Sequence, residues 1–252
     1  MTYPSQFPAE IEYVSKILKT LKGRVVWDER FLGKFYVFKD RPHAGEALAS
    51  LLQQSGEGSE GLVLAIPNGG IPVGVVLAER LRLGFDLVIC RKLQIPWNKE
   101  AGFGALAPNG SLALNKRLME SLNLNSKVLE AQKEKALEEL KAKERRFRGD
   151  RPPLNLKGKN VILVDDGLAS GYTVLAAVRY AWGSGTSKVV VAVPTGSIGA
   201  LRLIAGEASK VYCANVRGDL LGFAVADAYQ QWYDIGDVEA VHWLRKASGW
   251  EN

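Results

Sequence analysis

Residues 161–173 read Val-Ile-Leu-Val-Asp-Asp-Gly-Leu-Ala-Ser-Gly-Tyr-Thr, and the reading of this stretch decides the fold. Four consecutive apolar residues, 161–164, are too few for a helix and do not alternate with polar ones. They predict a central parallel strand covered on both faces. The run stops on Asp165 and Asp166, crosses a loop of small residues and opens a helix near Thr173. Open α/β sheets bind ligands at the carboxyl ends of such strands. Gly167, Ala169, Ser170 and Gly171 carry little side-chain bulk, so main-chain N–H groups can close around an anion, and Ser170 and Thr173 add hydroxyls. The start of the helix brings further unpaired amides and a partial positive charge. Two carboxylates would repel that anion but accept hydrogen bonds well from a vicinal diol. A ligand with a phosphate at one end and cis hydroxyls nearby, a ribose 5-phosphate, meets both demands. An ordinary turn after a strand is the plainer alternative.

Working outward, the sequence alternates. Stretches at 62–66, 86–90, 160–164, 188–193 and 210–213 read as strands, and 42–54, 71–82, 173–183 and 197–205 as helices. Such alternation specifies an α/β fold: a Rossmann-like, mainly parallel sheet with helices on both faces. Between 91 and 125 the pattern breaks. Residues 103–107 and 111–114 flank Pro108-Asn109-Gly110 as a hairpin, so 93–115 is expected to be a flexible lid. Residues 126–148 predict a long charged helix with Leu129, Ala136, Leu137, Leu140 and Phe147 as its apolar stripe and Ser126 as its cap. Its charges, including Glu134, Glu138, Glu139 and Lys143, read as a solvated face, with nucleic-acid binding as the alternative. Aromatics do not interleave with its bases as RNA platforms require, so a nucleic-acid partner is not expected. Upstream, Ile11, Val14, Leu18 and Leu21 stand at helical spacing before Gly23, followed by short apolar stretches at 25–27 and 35–38. The expected division is an N-terminal accessory element over 1–38, a core over 39–214 and a C-terminal hood, partly helical, over 215–252.

The 252 residues carry 33 Lys and Arg against 27 Asp and Glu, a net charge of +6. That suits an anionic ligand without choosing a small molecule over nucleic acid. No run of about 18 apolar residues occurs, so no membrane span is expected. The opening Met-Thr-Tyr-Pro-Ser-Gln lacks the basic and apolar regions of a leader, and a cytoplasmic location is the expectation. Cys90 and Cys213 end strands and read as buried free thiols. With His43 and His242 as the other soft ligands, zinc chemistry is not expected; both histidines read as surface or helix-packing residues. Neither Gly-x-Gly-x-x-Gly nor Gly-x-x-x-x-Gly-Lys-Ser/Thr is present, which argues against dinucleotide and P-loop sites.

A second strand end carries Pro67-Asn68-Gly69-Gly70 immediately before a helix. Successive glycines let amides approach an anion, although a plain strand-to-helix turn would look the same. Arg91 and Lys92 close the next strand, either as cations for a diphosphate or as a charged strand exit. Tyr229, Trp232 and Tyr233 follow the last core strand, where a base could stack or the rings could simply pack.

The 161–173 segment resembles the signature of type I phosphoribosyltransferases: four apolar residues, two acids, a short loop containing Ser/Thr-Gly, and a Thr. Further motifs narrow the resemblance to a bacterial and archaeal branch whose acceptor is unassigned. They are Asp40-Arg41 with Ala44-Gly45 and Leu48-Ala49; Pro67-Asn68-Gly69-Gly70; Arg91-Lys92-Leu93 with Pro96, Glu100 and Gly104-Ala105; Phe223-Ala224-Val225 before Tyr229; and Asp237-Val238-Glu239-Ala240-Val241. The pattern covers residues 39–244. The resemblance implies a type I phosphoribosyltransferase-like fold. It also implies transfer of the 5-phosphoribosyl group from phosphoribosyl pyrophosphate (PRPP) to a nitrogenous base, as in nucleotide salvage, with release of pyrophosphate.

In that scheme Asp165 and Asp166 are the catalytic carboxylates that orient the diol, and Gly167, Leu168, Ala169, Ser170, Gly171, Tyr172 and Thr173 hold the 5-phosphate. Asn68, Gly69, Gly70, Arg91 and Lys92 receive pyrophosphate, and Trp232 and Tyr233 face the base. Mg²⁺ is the expected cofactor, carried by PRPP oxygens and water with no direct protein ligand, and influenced at one remove by Asp165 and Asp166. A homodimer is the common assembly of related enzymes. Asn68 stands where the family often has Arg, which removes a cation. Ala169 stands where hypoxanthine-guanine enzymes commonly have Asp, which leans away from a 6-oxopurine acceptor. The alternative function is a non-catalytic sensor of PRPP or a nucleotide on the same fold.

Overall fold

In a computed structural model, which describes residues 7–220, 222–247 and 250, the chain opens with α1 (Pro8–Thr20), β1 (Val25–Trp27), α2 (Arg41–Gln54), β2 (Leu62–Ala65), α3 (Gly70–Leu81) and β3 (Gly84–Leu87). An insertion follows: β4 (Arg91–Ile95), β5 (Asn98–Leu106), β6 (Leu112–Leu114), α4 (Lys116–Ser121) and α5 (Ser126–Arg148). The chain then returns with β7 (Asn160–Val164), α6 (Tyr172–Gly183), β8 (Lys188–Ser197), α7 (Ile198–Ala205) and β9 (Lys210–Arg217), and ends with a 3₁₀ turn (Val225–Ala228) and α8 (Asp237–Leu244). The opening six residues, with the leader reading placed on them, and the side chains of Lys99 and Glu100 lie outside the described residues.

Six strands form one sheet in the order β1-β9-β8-β7-β2-β3, every pairing parallel. Strand side chains alternate between faces. Val63, Ala65, Ile162, Val164, Val190 and Ala192 pack with α2, α3 and α8. Leu64, Ile66, Val161, Leu163, Val189 and Val191 pack with α1, α6 and α7. Burial on both faces is why 161–164 is uniformly apolar. The order reverses between β2 and β7: β2 leads outward to β3, and β7 leads the other way through β8 to β9. A crevice at the carboxyl ends is expected at such a switch point. The two loops singled out in the sequence, 66–70 and 165–171, leave the sheet there.

Local chemistry sets the elements that frame the crevice. Asp40 caps α2 by accepting from the His43 amide at 2.9 Å, with Pro42 in the first turn. Ser197 caps α7 by accepting from the Ala200 amide. Gly171, at φ 83°, turns the chain into α6 through a left-handed conformation that a side chain would strain.

Departures from the sequence reading cluster in the insertion and at the ends. The strand expected over 86–90 is Gly84–Leu87, and Arg91 opens β4 instead of closing a core strand. The expected hairpin exists as β5 and β6, but β4 also pairs with β5, so the insertion is a three-stranded antiparallel sheet. That first hairpin was hidden because β5 is rich in Gly and Ala and shows no clean alternation. Asn125, not Ser126, caps α5, accepting from the Val128 amide. The 25–27 stretch joins the principal sheet as its edge strand beside β9, and β9 itself runs on to Arg217. At 6 and 8 residues, α4 and α8 are too short to display periodicity. Both cysteines are free and buried. Among the described residues no helix is long and apolar enough to cross a membrane.

Candidate active site

Asp165 and Asp166 follow β7 directly and sit at the switch point, partly buried. The Asp166 amide donates to the Asp165 carboxylate at 2.8 Å. Burial pushes the Asp165 carboxyl well above the usual carboxylate range, and the neighbouring Asp166 charge adds to the effect. Burial also raises Asp166, but Arg41 opposes that rise. Nε and Nη2 of Arg41 both lie 2.9 Å from Asp166 Oδ2. The pair is therefore unequal: burial raises both carboxyls, and Asp165 is raised further because Arg41 bonds Asp166 directly.

Beyond the acids, the 167–171 loop is fastened to β8. Leu168 bridges Gly196, its amide donating to Thr195 O and its carbonyl accepting from Ser197 N, and Ser197 Oγ donates to Ala169 O at 2.8 Å. Among the described residues, Leu168 has the one amide between 167 and 174 that donates to a main-chain carbonyl. Ala169 and Ser170 are exposed, and the first turn of α6 begins at Tyr172 with Thr173 next. A rim of unspent amides at a helix start is an anion-binding arrangement.

The 66–70 loop packs against the acids from β2. A Cβ added to Gly69 would lie 1.9 Å from Asp166 Oδ2, and one on Gly70 would lie 2.8 Å from Val164 O. Only glycines allow this approach. The Pro67–Asn68 peptide is cis. Gly70 N donates to Ile66 O, so Gly70 brings the loops together and does not offer its amide to a ligand. The Asn68 side chain turns to the C-terminal segment, donating to Ile235 O at 2.8 Å and Asp237 Oδ1 at 3.0 Å.

The two cations expected at this end lie on β4. Arg91 is ion-paired with Glu139 of α5, and Lys92 is exposed. α5 is accordingly less of a solvated face than its composition suggests. Lys143 and Arg146 reach Asp237, and Arg148 pairs with Asp86. Burial, followed by the nearby Arg91 charge, lowers the Lys143 ammonium.

The 229–233 aromatics close the other side. Tyr229 is buried and its hydroxyl donates to Asp166 O at 2.6 Å. Trp232 lies on Arg41, whose Cζ is 4.1 Å from the indole centroid. Tyr233 accepts from Arg41 Nη1 through its carbonyl and donates its hydroxyl to Glu239; its ring is exposed. Arg41 joins this centre although the sequence reading gave it no role, and Tyr229, one of the rings read as stacking a base or packing, is buried against the acids. Arg41 stood only within the Asp40-Arg41 motif, and no local spacing ties it to an acid 125 positions away. His43 and His242 are exposed, and His43 Nδ1 accepts from the Lys39 amide.

Comparison with known proteins gives the family. Residues 39–213 match the family described as phosphoribosyl transferase domain. A protein of Mycobacterium tuberculosis (strain ATCC 25618 / H37Rv) named "Putative phosphoribosyl transferase" is 36% identical over 211 residues, which is 84% of this chain and 47% of that protein. The chain thus spans about half the length of that relative. A ribose-phosphate pyrophosphokinase of Sulfurisphaera tokodaii shares 37% identity over 86 residues, 34% of this chain and 28% of that one. The crystal structure of TT1426 from Thermus thermophilus superposes with a TM-score of 0.68 at 33% identity, over 84% of this chain and 99% of that one. The chain belongs to the phosphoribosyl transferase domain family.

Proposed function

We propose that the chain transfers the 5-phosphoribosyl group of PRPP to a nitrogenous base and releases pyrophosphate. One observation carries the reading: the Gly69 turn and the Asp165–Asp166 pair touch, beside a loop whose amides are unspent. A diol grip, a 5-phosphate grip and a leaving-group turn therefore share one crevice. In the reaction, a nitrogen lone pair of the base forms the bond to C1′ as the bond from C1′ to the pyrophosphate oxygen breaks. Any proton on that nitrogen leaves to solvent. Asp166 and Asp165 accept hydrogen bonds from the ribose hydroxyls, and the 167–173 loop fixes the 5-phosphate, so C1′ faces the acceptor. Asn68, Gly69, Arg91 and Lys92 border the departing pyrophosphate, where positive charge and amides favour it. Gly70 contributes the close packing that lets this happen. Trp232 and Tyr233 border the acceptor, Tyr233 with its exposed ring.

The acids also fit Mg²⁺. Two carboxyl groups meet one guanidinium, which leaves carboxyl oxygens that a cation would draw into the charged form. Among the described residues no group of three or more His, Cys, Asp or Glu side chains could hold a metal by itself. That donor set suits an ion arriving on PRPP oxygens, next to Asp165 and Asp166. When bound, Mg²⁺ supplies charge neutralisation of the leaving pyrophosphate.

A second reading has its own support. Asn68 and Arg91 are already held by Asp237 and Glu139, as in a protein that binds PRPP or a nucleotide as a signal without turning it over. Labelled PRPP with Mg²⁺ and a panel of bases separates the two. Pyrophosphate release with at least one acceptor is expected. Tight PRPP binding with no release for any base would replace the transferase by the sensor, and no binding at all would remove both.

A further inference from the structure

We infer that Arg41 is a positioning residue: clamped between the hood and the strand end, it fixes the Asp166 carboxylate as an acceptor for the sugar hydroxyls. The inference rests on the sugar role proposed above for Asp166. Arg41 is 5% exposed, and its guanidinium is fully engaged. Nε and Nη2 converge on Asp166 Oδ2, Nη1 donates to Tyr233 O, and one face lies on Trp232. A buried guanidinium persists only when paired and hydrogen-bonded in this way.

The support beneath it is rigid. Arg41 is the first residue of α2, set by the Asp40 cap and Pro42. Both donors meet Oδ2, which ties that oxygen to Arg41, while the carboxyl also bonds the Asp165 side chain. The Tyr229 hydroxyl fixes the Asp166 main chain in the same way. The groups facing Asp166 are Asp165 from its own strand end, Arg41 from α2 and Tyr229 from the hood. Behind them, Cys90 faces Asp165 and Cys213 faces Tyr229, both thiols pushed up by burial and therefore neutral. Arg41 is the single cation acting on the carboxylate among these groups. Lysine could supply the charge but not a planar fork that reaches Asp166 and Tyr233 together.

The full chain, Arg41→Gln and Arg41→Lys are compared in two measurements. The first is a ¹³C NMR titration of the Asp166 carboxyl without ligand. The second is calorimetric affinity for PRPP with Mg²⁺, and for ribose 5-phosphate, across pH. In Arg41→Gln the Asp166 carboxyl is expected to titrate about one to three pH units higher. Affinity for both ligands should fall about tenfold or more at neutral pH, most steeply on the acid side. Arg41→Lys should titrate close to the unaltered chain yet still bind more weakly. A stationary Asp166 titration in folded Arg41→Gln, or a loss equal at every pH, overturns the positioning role. If Arg41→Gln does not fold, Arg41→Lys decides, and unaltered affinity there overturns it. If the unaltered chain binds neither sugar phosphate, the proposed function fails, while the ligand-free titration still judges the hold of Arg41 on Asp166.

Discussion

The two ends of the crevice, which the proposed function assigns to the two phosphate groups of the substrate, are built from different materials. At 167–174 the main chain would supply the donors, and among the described residues only the Leu168 amide is taken by a main-chain carbonyl. At the other end the donors are side chains, and they already hold protein carboxylates: Asn68 on Asp237, Arg91 on Glu139. Amides fixed by a strand and a helix need no ordering when an anion arrives, whereas paired side chains must first exchange partners. Under the proposed function the sugar-phosphate grip is preset and the pyrophosphate grip is conditional. On that proposal the monophosphate end is expected to bind readily and the diphosphate to add less than it could.

The largest expected effect comes where the two ends touch. Gly69→Ala places a methyl where Asp166 Oδ2 now lies, 1.9 Å from the ideal Cβ. The backbone there is ordinary helical, at φ −59°, so folding should survive while the acid is displaced. Turnover of PRPP is expected to fall about a hundredfold, the scale of an ångström-sized misplacement. Steady-state kinetics with any accepted base measures it. Near-normal turnover would mean the two loops act independently.

Asp165→Asn should separate binding from stability by moving them in opposite directions. The folded Asp165 carboxyl is raised by burial and by the Asp166 charge. A folded acid with a raised pKa binds more protons than the unfolded chain above the ordinary carboxylate range. Stability is therefore lost as pH rises through that window up to the raised value. Asparagine removes the loss. Thermal melts at neutral pH should show a gain of roughly 2–4 °C, and the decline across the window should flatten. Calorimetry should show ribose 5-phosphate affinity falling by about tenfold. A lower melting temperature would show that the charged acid is stabilising.

Much of this arrangement was legible in the chain because the relevant signals are local. A β strand that is apolar throughout, two acids and a run of small residues are contiguous over 161–173, and Pro67-Asn68-Gly69-Gly70 is likewise one short segment. Arg41 was not assigned because its meaning is relational: a guanidinium 125 residues from its acid acquires a role only when α2 docks against the end of β7. The same applies to Arg91. The sequence shows a cation after a strand, but not that Glu139, 48 positions on, would pair with it. The β4–β5 hairpin was missed for a different reason. Gly102, Gly104 and Ala105 give β5 no alternating face, and a Cβ at Gly102 would meet the Lys92 side chain at 2.3 Å, so that side chain lies over the glycine.

The smallest effect tests the conditional end directly. Glu139→Gln removes the carboxylate that holds Arg91 while leaving its length and place on α5 unchanged. The pair is about one-third exposed on both sides, 30% and 36%, so solvent screening limits it to no more than about 1 kcal/mol. Releasing Arg91 should therefore tighten PRPP binding by about two- to fivefold and leave ribose 5-phosphate affinity unchanged, because that ligand lacks the diphosphate. Raising the salt concentration should shrink the difference, since the competing pair is already weakened by screening. Calorimetry with both ligands at low and high salt gives the comparison. If the two affinities rise together, Glu139 acts on the whole crevice and the distinction between a preset end and a conditional one fails. If neither moves, Arg91 does not meet the diphosphate and Lys92 with the Asn68–Gly69 turn must receive it instead.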